Sequence, residues 1–148
     1  MIRIVIAGQP VAKGRPRMTR NGHAYTPEKT ATWETIAKWE ASRQFDGAPL
    51  DGALDVSVYA YFAIPESWPA WKKRAAISGS VLHTTKPDVD NLAKCVDAFN
   101  GLLWTDDARI ASLSVRKSYG PEPRVVVVVT QLETLHSGSR QQAAKKAA

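Results

Sequence analysis

The sequence predicts an α/β (α+β) fold: a single two-layer domain whose mixed β-sheet carries about three helices in the order β-α-β-α-α-β-β. Three observations predict it. Leu54–Ala63 alternates apolar and polar residues with the period of a half-buried strand. Arg124–Thr130 is β-branched almost throughout, as a central strand buried on both faces requires. Between them Leu92, Cys95, Val96, Phe99, Leu102 and Leu103 fall on one helical stripe. A chain of 148 residues with 44% hydrophobic content supports one core, expected over residues 1–132, with residues 133–148 as a flexible basic tail.

Ile2–Ala7 reads as a first strand closed by Gly8-Gln9-Pro10, and its apolar stretch is too short for a signal peptide. Residues 8–25, rich in Gly, Pro and Arg, read as a long loop, a feature that is usually functional or disordered. Thr26-Pro27 offers a cap hydroxyl and a proline for the first helical position. Trp33, Ile36, Ala37 and Ala41 then carry a helix to about Gln44, and Asp46-Gly47-Ala48-Pro49 ends it. In the strand that follows, Leu54, Val56, Val58, Ala60 and Phe62 share one face.

Ser67 is placed to cap a short helix over Trp68–Ile77, whose Lys72-Lys73-Arg74 face is basic. Gly79–Pro87 is a loop. From Val89 to about Leu102 a helix lays its apolar stripe on the sheet, with Gly101 fraying its end. Ile110–Tyr119 and Arg124–Gln131 read as an antiparallel hairpin about the Gly120-Pro121-Glu122-Pro123 turn. From Thr134 the polar tail contributes Arg140, Lys145 and Lys146 and no acid, as in a flexible arm.

The longest uninterrupted aliphatic run is Val125–Val129, too short to span a bilayer. Cys95, the single cysteine, excludes an intrachain disulfide and fits a reducing, cytoplasmic setting. Net charge is +6 with a pI near 9.6, which favours acidic partners. Its distribution is more informative. Residues 1–20 hold Arg3, Lys13, Arg15, Arg17 and Arg20 without an acid. Residues 86–107 set Lys86 and Lys94 against Asp88, Asp90, Asp97, Asp106 and Asp107, a local charge of −3. Acids gathered within a basic body suit an enzyme that grips phosphates broadly and holds cations at one point.

Pro87 disfavours helix at Lys86, so the chain reaches Asp88 extended, and Asp90 falls at the cap or in the first turn. Simple helix capping explains one of these two carboxylates and leaves Asp88 without a role. Asp90, Lys94 and Asp97 share one helical face, which a surface salt-bridge ladder also explains. Asp106-Asp107 follows by a short loop, and a chain reversal there could return a carboxylate to Asp88 and Asp90. Carboxylate oxygens suit Mg²⁺, with Mn²⁺ as a substitute, and no Cys/His cluster exists for zinc. His83 reads as a loop histidine touching DNA or solvent. Trp33 belongs to the core stripe, Trp104 to the core or a site wall, and Trp39, Trp68 and Trp71 are candidates for a dimer contact.

These residues resemble a known family. Lys86-Pro87-Asp88-Val89-Asp90-Asn91-Leu92-x-Lys94, then Asp97-Ala98 and Leu103-Trp104-Thr105-Asp106-Asp107-Ala108-Arg109-Ile110, are similar to the RusA family of Holliday junction resolvases. Gly14-Arg15-Pro16-Arg17 and Tyr25-Thr26-Pro27 resemble the opening of many members. The resemblance covers about residues 1–132; the tail is no part of the pattern. It implies an Mg²⁺-dependent endodeoxyribonuclease acting as a homodimer on four-way junction DNA, and prophage carriage is frequent among small members. By position it implies Asp88, Asp90 and Asp107 as metal-binding carboxylates and Lys94 as the catalytic lysine, with Asn91, Asp97 and Asp106 in support.

The expected chemistry is phosphodiester hydrolysis by a metal-activated water, with Lys94 neutralising developing charge. Lys13, Arg15, Arg17, Arg20 and Lys86 would position backbone phosphates, which gives register without sequence. Competing readings are a less selective branched-DNA or flap nuclease and a DNA-binding protein without catalysis. An Asp-x-Asp nucleotide-sugar transferase also needs metal, but the chain is short for one.

Overall fold

The computed structural model describes residues 1–133. The tail expected as a flexible arm, with Arg140, Lys145 and Lys146, lies outside the described residues. Strands β1 (Ile2–Ala7), β4 (Leu54–Ala63), β5 (Ile110–Gly120) and β6 (Arg124–Gln131) form one mixed sheet in the order β1-β6-β4-β5. A small ribbon pairs β2 (Arg17–Met18) with β3 (Ala24–Tyr25), so the loop expected over 8–25 contains its own hairpin. The helices are α1 (Glu28–Gln44), α2 (Ala70–Ile77) and α3 (Val89–Ala93).

All helices cover one face of the sheet. Leu54, Val56 and Val58 of β4 join Ile4, Trp33, Phe99 and Val127 in the main core. Ala60 and Phe62, next on the same β4 face, meet Ala76, Leu92 and Tyr119 in a second, smaller cluster. The alternation in β4 therefore matches the expected face residue for residue. β6 lies between β1 and β4 with Val125, Val126 and Val127 all buried, as its β-branched run requires.

The expected β5–β6 hairpin does not form. β4 lies between the two strands, parallel to β5 and antiparallel to β6. Pro121 and Pro123 fix their own φ and hold the residues before them extended, so the connection crosses the end of β4 where a tight turn would have folded back. The long helix expected over 89–102 is also shorter. α3 ends at Ala93 and the chain continues as a 3-10 helix over Lys94–Phe99. Three residues per turn aligns Val96 with Phe99, and both are buried. Gly101 then takes φ 79°, which releases the chain into the Leu103–Trp104 segment.

Neither expected hydroxyl cap is used. Pro27 precedes α1 and Pro69 precedes α2, each without a side-chain cap bond. Ile36, placed on the α1 core stripe from spacing, is 44% exposed, whereas Trp33, Ala37 and Ala41 are buried. Leu102 is only half-buried because it follows the 3-10 helix and lies outside the stripe.

Candidate active site

Asp88 stands immediately before α3 with extended backbone and no side-chain cap bond. Its carboxylate makes no cap, and Oδ2 instead accepts from Lys86 Nζ at 2.9 Å. Asp90 lies in the first turn of α3 and is exposed. Both residues thus stand at a helix start, where free N–H groups favour negative charge.

The segment leading to Asp88 is pinned from the sheet. Lys117 Nζ donates to the carbonyl oxygens of Thr85 at 2.7 Å and Pro87 at 2.8 Å. Sequence reasoning missed this residue. The available signal was a lysine between Val115 and Tyr119, on a strand face that otherwise packs inward. His83, expected to touch DNA or solvent, is instead buried: it stacks on Phe62 at 3.7 Å and meets Tyr119 at 5.3 Å. Its Nε2 lies 3.2 Å from Thr85 Oγ1, and Nδ1 has no partner. Burial, reinforced by the Lys117 charge, holds the imidazole pKa below its ordinary value. A neutral histidine and a charged lysine together fix the loop that carries Asp88.

Shortening α3 dissolves the alternative account of Asp90, Lys94 and Asp97 as a salt-bridge ladder. Lys94 Nζ reaches Asn91 Oδ1 at 3.3 Å and remains exposed on the same turn as Asp90. Asp97 pairs with Lys13, whose Nζ lies 3.0 Å from Asp97 and 3.6 Å from Glu34. The Asp97 hydrogen bond, working against partial burial, holds the Lys13 pKa above its ordinary value. Lys13 N also donates to Asn91 O at 3.3 Å. The basic loop is therefore fastened to the acidic segment, with Arg15, Arg17 and Arg20 exposed beyond the fastening.

Asp107 lies elsewhere. Its Oδ1 accepts from Nε1 of the fully buried Trp104 at 2.8 Å, while Asp106 Oδ1 accepts from Ala108 N and caps a 3-10 turn. Trp104 is core and also anchors Asp107. The surrounding segment is tied to the start of β4: Leu50 N donates to Leu103 O, and Asp51 pairs with Arg109. This is the Ile110 end of β5, whereas Asp88 sits by the Lys117 end, roughly 23 Å along an extended strand. Among the described residues no three His, Cys, Asp or Glu side chains stand close enough together to hold a metal ion. One chain places Asp88 and Asp90 at the same helix start and leaves Asp107 apart.

Two exposed carboxylates are nevertheless a suitable donor set for a hard divalent cation, which keeps several waters and uses substrate phosphate oxygens. Comparison with known proteins points the same way. The chain is 37% identical over 137 residues to the uncharacterized protein YqaN of Bacillus subtilis (strain 168), covering 88% of this chain and 96% of that one. Residues 7–130 match the model of the endodeoxyribonuclease RusA family, whose members are nucleases of a kind that generally uses a divalent metal. A helix start presenting Asp88 and Asp90, beside a loop rich in arginine, agrees with that match, and the chain belongs to the endodeoxyribonuclease RusA family.

Proposed function

We propose that this nuclease resolves four-way DNA junctions as a homodimer by paired phosphodiester hydrolysis, using Mg²⁺ or, in its place, Mn²⁺. The observation that carries the reading is the exposed Asp88–Asp90 pair, set at a helix start and pinned through Lys117, with the arginine loop fastened beside it. Asp88 and Asp90 would hold the cation, with Asp107 as third carboxylate. When bound, the cation lowers the pKa of a water and polarises the scissile phosphate. Lys94, kept on the Asp90 turn by Asn91, supplies positive charge to the phosphate oxygens. Arg15, Arg17, Arg20 and Lys86 hold backbone phosphates, and Lys13 holds the loop that carries them.

The dimer gives Asp107 a route to the site. β5 is an outer strand with Ala111–Ser114 exposed, including Leu113 at 41%. An open edge of this length is a template for another strand, and a second copy of β5 is self-complementary about a two-fold axis. Antiparallel pairing about Ser112 would set Asp107 of the partner subunit near the Lys117 end, beside Asp88 and Asp90. Two such sites related by the two-fold would cut opposite strands.

The test is Asp90→Asn on a panel of four-way, three-way, flap and linear substrates. Junction binding is expected to survive while metal-dependent cleavage disappears. Wild-type cleavage of linear duplex as fast as the junction would defeat the resolvase reading, and no cleavage in Mg²⁺ or Mn²⁺ would leave a binding protein.

A further inference from the structure

A cleft of about 540 Å³ opens between the arginine loop, the start of α1 and the Lys86-Pro87 step that leads to Asp88. Its cations are Arg15, Arg17, Lys29 and Lys86. Lys29 comes from the first turn of α1 and was not among the residues expected to meet DNA. Arg15, Arg17 and Lys29 form no ion pair among the described residues, in contrast to Lys13. Between the cations the walls include Pro10, Pro16, Pro27 and Pro87. The loop is seated closely: Gly14 N donates to Oγ1 of the buried Thr30 at 2.9 Å. A Cβ at Gly14 would come within 2.9 Å of Pro27 Cγ, so a side chain there would lift the loop off α1.

We propose that this cleft is a subsite for one unpaired nucleotide of a branched DNA, with Lys29 as a phosphate ligand. The inference rests on the proposed junction-binding function. The volume falls within the roughly 300–1,000 Å³ of small-ligand pockets, room for one nucleotide. The proline rings offer apolar faces to a sugar or base. Cations around the cleft bind phosphate whatever the base. Such a site grips a strand where it leaves the helical stack, without regard to sequence. Because the cleft ends at Lys86-Pro87, the strand it holds continues directly to Asp88.

The experiment measures binding of a fixed four-way junction with one unpaired nucleotide at its branch point, and of a linear duplex of equal length, across a salt series without divalent metal. Wild type is compared with Lys29→Gln, at an exposed position, and thermal melts verify folding. The substitution is expected to lower the junction slope of log K against log salt by about 0.7, the value for one single-strand phosphate. The duplex slope stays at the wild-type value. A wild type that prefers the junction while Lys29→Gln matches its slope would overturn the subsite and leave the resolvase reading intact. Equal decreases on both substrates would likewise overturn it. A wild type with no preference for the junction would overturn the proposed function and the subsite with it.

Discussion

Mixing two inactive variants of this nuclease distinguishes a site shared between subunits from one built within each chain. The variants are Asp90→Asn, at the start of α3, and Asp107→Asn, beside Trp104. Carboxylates on one Mg²⁺ bind at about 2.1 Å, so their oxygens lie within roughly 4 Å of one another. Asp88 and Asp107 are instead held at opposite ends of β5, roughly 23 Å of strand apart. In a shared site, an Asp107→Asn chain supplies the intact Asp88–Asp90 pair and an Asp90→Asn chain supplies the intact Asp107. Each mixed dimer then recovers one of its two sites. Random pairing of equal amounts makes about half the dimers mixed, so about a quarter of wild-type sites return. The assay is a supercoiled plasmid with an extruded cruciform, after co-refolding the two variants. Nicked circles are expected from the mixture and linear product is not, since one site cuts one strand. A mixture as inactive as its parents would refute the shared site, and an active Asp107→Asn homodimer would remove Asp107 from the chemistry.

Replacing Lys117 by Met removes the ammonium that holds the Thr85 and Pro87 carbonyls. The Mg²⁺ concentration for half-maximal cleavage should rise by about tenfold or more, as for other outer-shell partners, with metal-free junction binding unchanged and Lys117→Arg partly restoring the enzyme. Unaltered metal dependence would exclude Lys117 from positioning Asp88. His83 makes folding pH-dependent in a definite direction. Its folded pKa is depressed below the ordinary 6.5, so the unfolded chain binds more protons and stability falls as pH drops below about 6.5, being fully present above it. Urea melts of wild type and His83→Gln between about pH 7 and 5 should converge toward the acid end. The Cys95 thiol is pushed up to about 12 by burial and the nearby Asp97 charge, so it should resist alkylation in the native protein and react on unfolding.

Much of the fold was legible because local chemistry and tertiary structure agree. Leu54–Ala63 alternates, and its apolar face is the core face. The valine run of β6 can be satisfied only at the centre of a sheet, and that is where it lies. α1 ends at Gln44 as expected, before Asp46-Gly47. The failures share another character. The β5–β6 hairpin failed because a proline-rich connection fixes local extension without saying which strand fills the gap. His83 was misplaced because nothing within its loop reveals that Phe62 and Tyr119 will enclose it.

The candidate site divides along the same line. By itself the sequence determined that acids cluster in a basic chain, that Pro87 delivers Asp88 extended to a helix start, and that Asp90 follows within one turn. Those are consequences of covalent order and backbone sterics over a few residues. Only the tertiary structure decided that Lys117 would pin the loop, that Lys13 would fasten the arginines to Asp97, and that Lys29 would join the cleft. It also decided that Asp107 stands at the far end of β5. Contacts between segments dozens of residues apart depend on strand order and register, and spacing along the chain does not encode which end of a strand a following loop will meet.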